Sequence, residues 1–245
     1  NLHNEFKSYR KQPTKKIDNL NFNNEILIEN LFFKIPESNL SILEDINFSI
    51  RKNDKIGIMG ETGSGKSTLI NIIAGLIKPT SGAIKIDGKI LENNKYEWLN
   101  KIGYVGQSTN LVEGTVYNNI AFGIYDKNID RKKVDQVAEL SGLKDFINRS
   151  EGLNYEILEN GKNLSGGEKQ RIAIARVLYK DPEVIIFDES TSALDLDTEK
   201  KIISSIQEIS KNRTIIFVSH KKSALVFCNK VYSLNQKKLE LINEN

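Results

Sequence analysis

The sequence has almost none of the residues that staple small extracellular proteins together. A single cysteine, Cys228, in 245 residues excludes an internal disulfide, so a packed core has to supply the stability. That fits a reducing, cytosolic setting, and Cys228 itself reads as a small core residue. Long hydrophobic runs are missing too. The longest nearly apolar stretch, Leu69 to Ile77, is nine residues broken by Asn71, against the roughly 18 that a bilayer crossing requires. No secretory signal opens the chain. It starts at Asn1 rather than Met, as expected for a piece of a longer polypeptide. Nor is there an excess of charge over most of its length. The net +3 is concentrated at the start, where Lys7, Arg10, Lys11, Lys15 and Lys16 face only Glu5, leaving 30 basic and 31 acidic residues elsewhere. A near-neutral body cannot track a nucleic-acid backbone, so nucleic acid is not an expected partner. The basic head reads as a solvated linker, with an anionic membrane surface as the alternative.

What is present is a soluble, globular composition, 39% apolar, enough for one large domain or a core with a subdomain. Residues 1–24 are polar and Asn-rich and are expected to be linker, with folded structure starting near Glu25. Ile26–Ile28, Leu31–Phe33 and Ile42–Ile50 predict strands, and Asn53-Asp54 turns into the next one. Lys66 to Gly75 predicts a helix, and Ala83 to Ile90 a hairpin about Asp87-Gly88. After a short strand at Ile102–Val105, helical periodicity takes over: Val116–Phe122, Lys132–Leu140, Leu143–Ile147 and Glu168–Tyr179. This block, about 108–180, reads as a helical subdomain inserted into a sheet. Strand 184–187, helix 197–210, strand 214–218, a short helix near 221–227 and closing strands near 230–234 and 238–242 follow. The expected class is α/β, a mostly parallel sheet core with an antiparallel β edge layer.

Three strands lead into reactive residues: Ile56–Met59 into Gly60, Val184–Phe187 into Asp188-Glu189, and Thr214–Val218 into Ser219-His220. In an open parallel sheet ligands lie beyond the carboxyl ends of the strands, so these segments can converge on one phosphate group. Gly60-Glu61-Thr62-Gly63-Ser64-Gly65-Lys66-Ser67-Thr68 has the spacing of a P-loop between a strand and a helix. Its glycines let backbone N–H groups approach phosphate oxygens, Lys66 brings a cation, and Ser67 can ligate Mg²⁺. Asp188 is expected to serve the metal and Glu189 the attacking water. A third segment, Ser165-Gly166-Gly167-Glu168, is a capping box opening a helix. Its two glycines also suit close contact with an anion. One triphosphate cannot easily occupy both helix starts of one chain, which predicts a head-to-tail dimer with each nucleotide between the P-loop of one copy and Ser165 of the other.

With those segments in order, the chain resembles the nucleotide-binding domain of an ABC transporter from about Glu25 to its end. The matching motifs are the Walker A loop (Gly60 to Thr68), the Q-loop (Gln107), the signature (Leu164 to Gln170) and the Walker B strand (Val184 to Asp188, with Glu189). The D-loop (Ser192-Ala193-Leu194-Asp195) and the H-loop (His220) complete the set. The resemblance implies binding and hydrolysis of ATP with Mg²⁺, in a P-loop NTPase fold. It implies that Gln107 contacts Mg²⁺ and the attacking water and relays to a transmembrane domain. It also implies that Asp195 faces the partner site and that His220 holds the γ-phosphate. Tyr155 to Gly161, with Glu159 placed against a coupling helix, and Gly114 to Ile120 look like exporter sequences. In exporters the transmembrane domain precedes this one on the same polypeptide. The expected partners are therefore that domain and a second copy, as a homodimer, at the cytoplasmic face of the inner membrane. The Trp98 region and Ile120 to Gly123 look similar to flippases of lipid-linked saccharides. A soluble ATPase of translation or DNA repair is the alternative, but such proteins carry two cassettes in tandem or a long coiled coil after Gln107, and neither is here. Three positions depart from the family pattern. Ile35 stands where an adenine-stacking aromatic usually precedes the proline, which predicts weaker or less base-selective ATP binding unless Phe33 substitutes. Gly106 replaces a common proline, and Leu158 an expected glycine.

Overall fold

The computed structural model describes residues 20–192 and 194–244. The basic head, residues 1–16, and Ala193 of the D-loop lie outside the described residues. The strands in chain order are β1 (Glu25–Lys34), β2 (Ser41–Arg51), β3 (Lys55–Met59), β4 (Ser81–Ile86), β5 (Lys89–Ile90) and β6 (Ile102–Val105). Then come β7 (Gly114–Thr115), β8 (Glu156–Ile157), β9 (Val184–Asp188), β10 (Thr214–Val218), β11 (Lys230–Asn235) and β12 (Lys238–Glu244). The helices are α1 (Lys66–Ile73), α2 (Lys95–Lys101), α3 (Val116–Ile120), α4 (Arg131–Leu140), α5 (Lys144–Arg149), α6 (Gly166–Tyr179) and α7 (Leu196–Ser210).

The main sheet runs β12-β11-β3-β10-β9-β6, parallel except for the antiparallel β11–β12 pair. Every residue of β9 and β10 is buried, as a continuous apolar run requires when both faces of a parallel sheet are covered. Strand alternation then splits the side chains between two cores. Val184, Ile186, Ile216, Val218, Ile56 and Ile58 pack with Leu69, Ile70 and Ile73 of α1 and with the antiparallel sheet β2-β1-β4-β5. Ile185, Phe187, Ile215 and Phe217 pack on the other side, with residues of α3 to α7. Each such side chain contributes about 1.5–3 kcal/mol by leaving water, so the two cores clamp the sheet whose loops carry the site.

The structure differs from the pattern reading in a few places. The two expected strands at 26–28 and 31–33 are one, β1, bent by a register shift between Ile28 and Leu31 with Asn30 at φ 45°. Helix α2 was not expected, because its only buried side chain, Trp98, sits in a polar run. Trp98 is held by its indole N–H donating to Ile73 O, 2.8 Å away at the end of α1. Residues 20–24, part of the expected linker, pack on the domain. Leu20 and Phe22 are buried, the Leu20 N–H donates to Glu97 Oε2 at 2.9 Å, and Phe22 meets Trp98 edge-on at 5.9 Å. The short helix expected near 221–227 is a single 3-10 turn, Lys222–Leu225. The two-residue strands β7 and β8 pair within the helical region, too short to leave a pattern.

Candidate active site

The strand order puts four loops in a row. In β3, β10 and β9, Ile58, Val218 and Asp188 are neighbours in register, and Val105 of β6 lies beside Phe187. The Gly60 loop, Ser219-His220, Asp188-Glu189 and Gly106-Gln107 therefore leave the same edge of the sheet. Two backbone bonds extend this order past the strands. The Ser219 N–H donates to Ile58 O at 3.2 Å and the Glu189 N–H to Val218 O at 3.1 Å.

The loop from Gly60 to Gly65 closes tightly on the sheet. A Cβ at Gly60 would lie 2.5 Å from Leu234 O and 2.8 Å from Ser64 Oγ, so no larger residue fits. Gly65, the residue before α1, has φ 103°, a conformation open to glycine, and no side chain caps the helix it starts. The first N–H groups of α1 thus remain available to an anion. Glu61, Thr62 and Gly63 are exposed, and Thr68 is half-buried. Lys66 is buried, with its ammonium donating to Gly60 O at 2.9 Å and Glu61 O at 2.8 Å. The same ammonium is 3.4 Å from Glu189 Oε1.

The acidic pair is held from several sides. Asp188 Oδ1 accepts from Ser67 Oγ at 3.4 Å, and Oδ2 accepts from the Tyr104 hydroxyl at 2.7 Å. Burial, and then the bond to the Asp188 carboxylate, push the Tyr104 phenol far up, so it stays protonated and remains a donor. Glu189 has φ 47°, in the left-handed region that few non-glycine residues adopt, and its N–H bond to Val218 O helps hold it there. Gln107 is exposed and lines, with Tyr104, Asp188 and Arg176, a cleft of about 440 Å³. His220 is exposed at the end of β10.

The signature lies elsewhere. Ser165 caps α6: its Oγ accepts from the Glu168 N–H at 3.3 Å, and Glu168 Oε2 accepts from the Ser165 N–H at 2.7 Å. The positions a Cβ would take at Gly166 and Gly167 meet Leu194 and Thr198, at the start of α7, not the 60–68 loop. At Gly167 the approach to Thr198 Cγ2 is 2.6 Å, so this glycine also has a packing reason that pattern reading missed. Asp195 is exposed and caps α7, its Oδ1 accepting from the Thr198 N–H at 3.0 Å. The bonds from Thr198 hold its carboxyl below the usual aspartate value. The structure therefore groups Gly60 to Thr68 with Asp188, Glu189, Gln107 and His220, and separately groups Ser165, Gly166 and Gly167 with Asp195. Ile35 is exposed in a turn, its N–H donating to Leu40 O, while Phe33 packs against the core.

The donor set fits a magnesium nucleotide. Among the described residues, no group of three or more His, Cys, Asp or Glu side chains is placed to hold a metal ion. Ser67 with Asp188 is the kind of sparse, hard-oxygen set that Mg²⁺ uses when phosphates complete its shell. Ser64 Oγ is buried without a partner among the described residues, in a loop of N–H groups suited to phosphate oxygens.

Two residues missed by pattern reading belong to this neighbourhood. Tyr104 occupies the alternate position of β6 that faces Asp188. Glu199 stands on the buried face of α7 with Ile202, Ile206 and Ile209, and a carboxylate in an apolar stripe is a signal that it must be paired.

A fold and loop set of this kind define a P-loop ATPase of the cassette type, and comparison with known proteins gives the family. The ABC transporter family model matches residues 43–192, and the chain belongs to that family. It is 34% identical over 90% of its length to ABC transporter B family member 29, chloroplastic, of Arabidopsis thaliana, covering 35% of that protein. It is 37% identical over 89% of its length to the alpha-hemolysin translocation ATP-binding protein HlyB of Escherichia coli, covering 31%. With the mitochondrial iron-sulfur clusters transporter ABCB7 of Rattus norvegicus the identity is 36% over 87% of this chain and 28% of the relative. The chain thus spans about a third of the length of these relatives. A bacterial Atm1-family ABC exporter solved with ATP bound superposes with a TM-score of 0.84 at 31% identity, covering 99% of this chain and 43% of the other. No described helix is long and apolar enough to cross a membrane.

Proposed function

We propose that this domain hydrolyses Mg-ATP between two copies docked head to tail, and that closure of the pair drives an attached transmembrane domain to export its substrate. It would work at the cytoplasmic face of the inner membrane, where the transmembrane segments of the same polypeptide present their coupling surface. The observation that carries this reading is the convergence of Lys66, Ser67, Asp188 and a backbone-strained Glu189 on one edge of the sheet. The loop N–H groups and Lys66 hold the β- and γ-phosphates, for which Lys66 gives up its bonds to Gly60 O and Glu61 O. Ser67 and Asp188, assisted by Gln107, would hold Mg²⁺, which would supply neutralisation of the charge on the phosphoryl oxygens. Glu189 accepts a proton from the attacking water, whose oxygen bonds to the γ-phosphorus as the bond to ADP breaks. His220 steadies the γ-phosphate from the neighbouring strand.

The partner copy supplies the other half. Ser165 Oγ already accepts from the Glu168 N–H, so its own hydrogen is free to donate to a phosphate oxygen. Gly166 and Gly167 bring their N–H groups beside it, and Asp195, adjacent on α7, faces the same junction. Glu189→Gln tests the scheme. It is expected to abolish phosphate release while ATP accumulates in a stable dimer, seen by size-exclusion chromatography with retained nucleotide. Unchanged phosphate release would remove Glu189 as the base.

A further inference from the structure

We propose that Glu199 is a positioning residue for hydrolysis, one that fixes the loop bearing His220 against the loop bearing Glu189. The proposal rests on the roles of Glu189 and His220 given above. Glu199 lies one turn into α7 and is 5% exposed. Its Oε1 accepts from the Thr191 hydroxyl at 3.0 Å, two residues beyond Glu189. Its Oε2 accepts from the Lys221 ammonium at 2.7 Å, one residue beyond His220. Its backbone N–H makes the regular first-turn bond of α7, to Asp195 O at 2.9 Å. One carboxylate on α7 thus ties together the two loops that carry Glu189 and His220.

The arrangement is expensive if stability were its only purpose. A buried carboxylate paired with a partly exposed lysine is often no more stabilising than an apolar side chain of similar volume, and Ile202, Ile206 and Ile209 share this face of α7. Its geometry instead answers a need at the site. Glu189 is held at φ 47°, and a strained residue persists only when its neighbours over-determine it. Around it the Glu189 N–H donates to Val218 O, Glu189 O accepts from the Ser192 N–H at 3.0 Å, and Thr191 is pinned by Glu199. On the other loop the Ser219 N–H donates to Ile58 O, Ser219 Oγ accepts from the Lys221 N–H at 3.1 Å, and Lys221 is pinned by the same carboxylate. His220 sits between two anchored residues, with its side chain free toward solvent.

The test measures kcat, nucleotide affinity and the state of His220 in Glu199→Ala, Lys221→Met and the double variant. The chain has two histidines, His3 and His220, so the His220 imidazole resonance is identified by its loss in His220→Ala. In Glu199→Ala, kcat is expected to fall about 10-fold or more with the ATP dissociation constant within about two-fold, since small misplacements of catalytic groups have effects of this size. Lys221→Met should act in the same direction, and the double variant should be no worse than Glu199→Ala, because that substitution already removes the bond to Lys221 together with the one to Thr191. In nucleotide-free protein the His220 resonance should move in both single variants. A kcat within about two-fold of the parent, a kcat loss matched by lost ATP affinity, or an unmoved His220 resonance would each overturn the proposal. Should Glu199→Ala fail to fold, Lys221→Met gives the same readouts, since the Lys221 side chain is already 28% exposed. Glu189→Gln separates the two levels of argument. If it retains turnover, the reading of the site fails; if it is inactive while Glu199→Ala behaves as the parent, only the positioning role fails.

Discussion

Helices α1 and α6 both have glycine at their start, Gly65 just before the one and Gly166 as first residue of the other, yet they treat their first N–H groups in opposite ways. At α1 the preceding Gly65 offers no side-chain cap, a buried lysine follows, and strands close in from the sheet. At α6 Ser165 and Gly166 are exposed, and the start completes its own capping box through Ser165 and Glu168. An uncapped helix start leaves donors that only a ligand or water can satisfy, so α1 is specialised for an anion. A self-capped start is stable alone, so α6 needs no nucleotide to form and leaves Ser165 and Gly166 exposed, with Gly167 buried against α7. In the scheme proposed above, that difference would divide the labour, with one end capturing phosphate and the other offered to a second copy.

Removing the offered end should have the largest effect. Ser165→Ala takes away both the cap, about 1 kcal/mol of helix stability, and the hydroxyl proposed to donate to the partner's phosphate. Loss of one such donor lowers turnover about 100-fold in comparable sites, whereas ATP binding by the isolated copy should stay within about two-fold. Phosphate release measured over a range of protein concentrations checks this. Turnover per molecule that is independent of concentration and unchanged by the substitution would put both halves of the site in one chain and erase the contrast between α1 and α6.

The contrast is sharpened at the base end of the nucleotide. If the α1 loop supplies most of the grip, Ile35 in place of an aromatic leaves the base weakly read. Phe33 does not compensate through exposure, since it packs against the core opposite Leu43. Ile35→Tyr is expected to raise ATP affinity about five-fold, the equivalent of about 1 kcal/mol of stacking, and to leave inorganic triphosphate binding unchanged. The parent should bind GTP and ATP with similar affinity. A strong preference of the parent for ATP would show that the base is read by something other than residue 35.

Much of this was legible in the sequence because the controlling forces are local or periodic. The continuous apolar runs of β9 and β10 can only be strands covered on both faces, and the glycines and lysine of the 60–68 loop carry their own geometry. The gathering of Asp188, Glu189, Gln107 and His220 follows from parallel strands ending together. What pattern missed is set by contacts distant in sequence. Trp98 is buried because Ile73 O and Phe22 receive it, and nothing in its polar neighbours announces that. Gly167 is small because Thr198 crosses it, a tertiary reason standing beside the one read from the anion. Tyr104 and Glu199 show themselves only once β6 lies against β9 and α7 against the loops, although a glutamate in an isoleucine stripe was a readable warning.

A third set of backbone donors completes the comparison, one that the protein fills itself. The carboxylate of Asp87, in the β4–β5 turn, accepts from the N–H groups of Asn23 at 2.6 Å, Asn24 at 3.0 Å and Glu25 at 2.8 Å. Burial raises its pKa, but the bonds from Asn23, Glu25 and Asn24, with the charge of Lys52, outweigh burial and hold it below the ordinary 3.8. A carboxyl depressed in the folded state stabilises fully above its unfolded value, and loses that contribution as pH falls below 3.8 and through the folded value. Asp87→Asn, which tolerates the φ of 46° at this turn, keeps an acceptor but loses the charge. With solvent screening it should be less stable than the parent by about 0.5 kcal/mol at pH 7, and the gap should narrow as pH falls below 4. Urea unfolding at several pH values measures the gap. A difference that persists at low pH would mean that Asp87 acts through shape alone, and that these amides, unlike those of α1, are indifferent to negative charge.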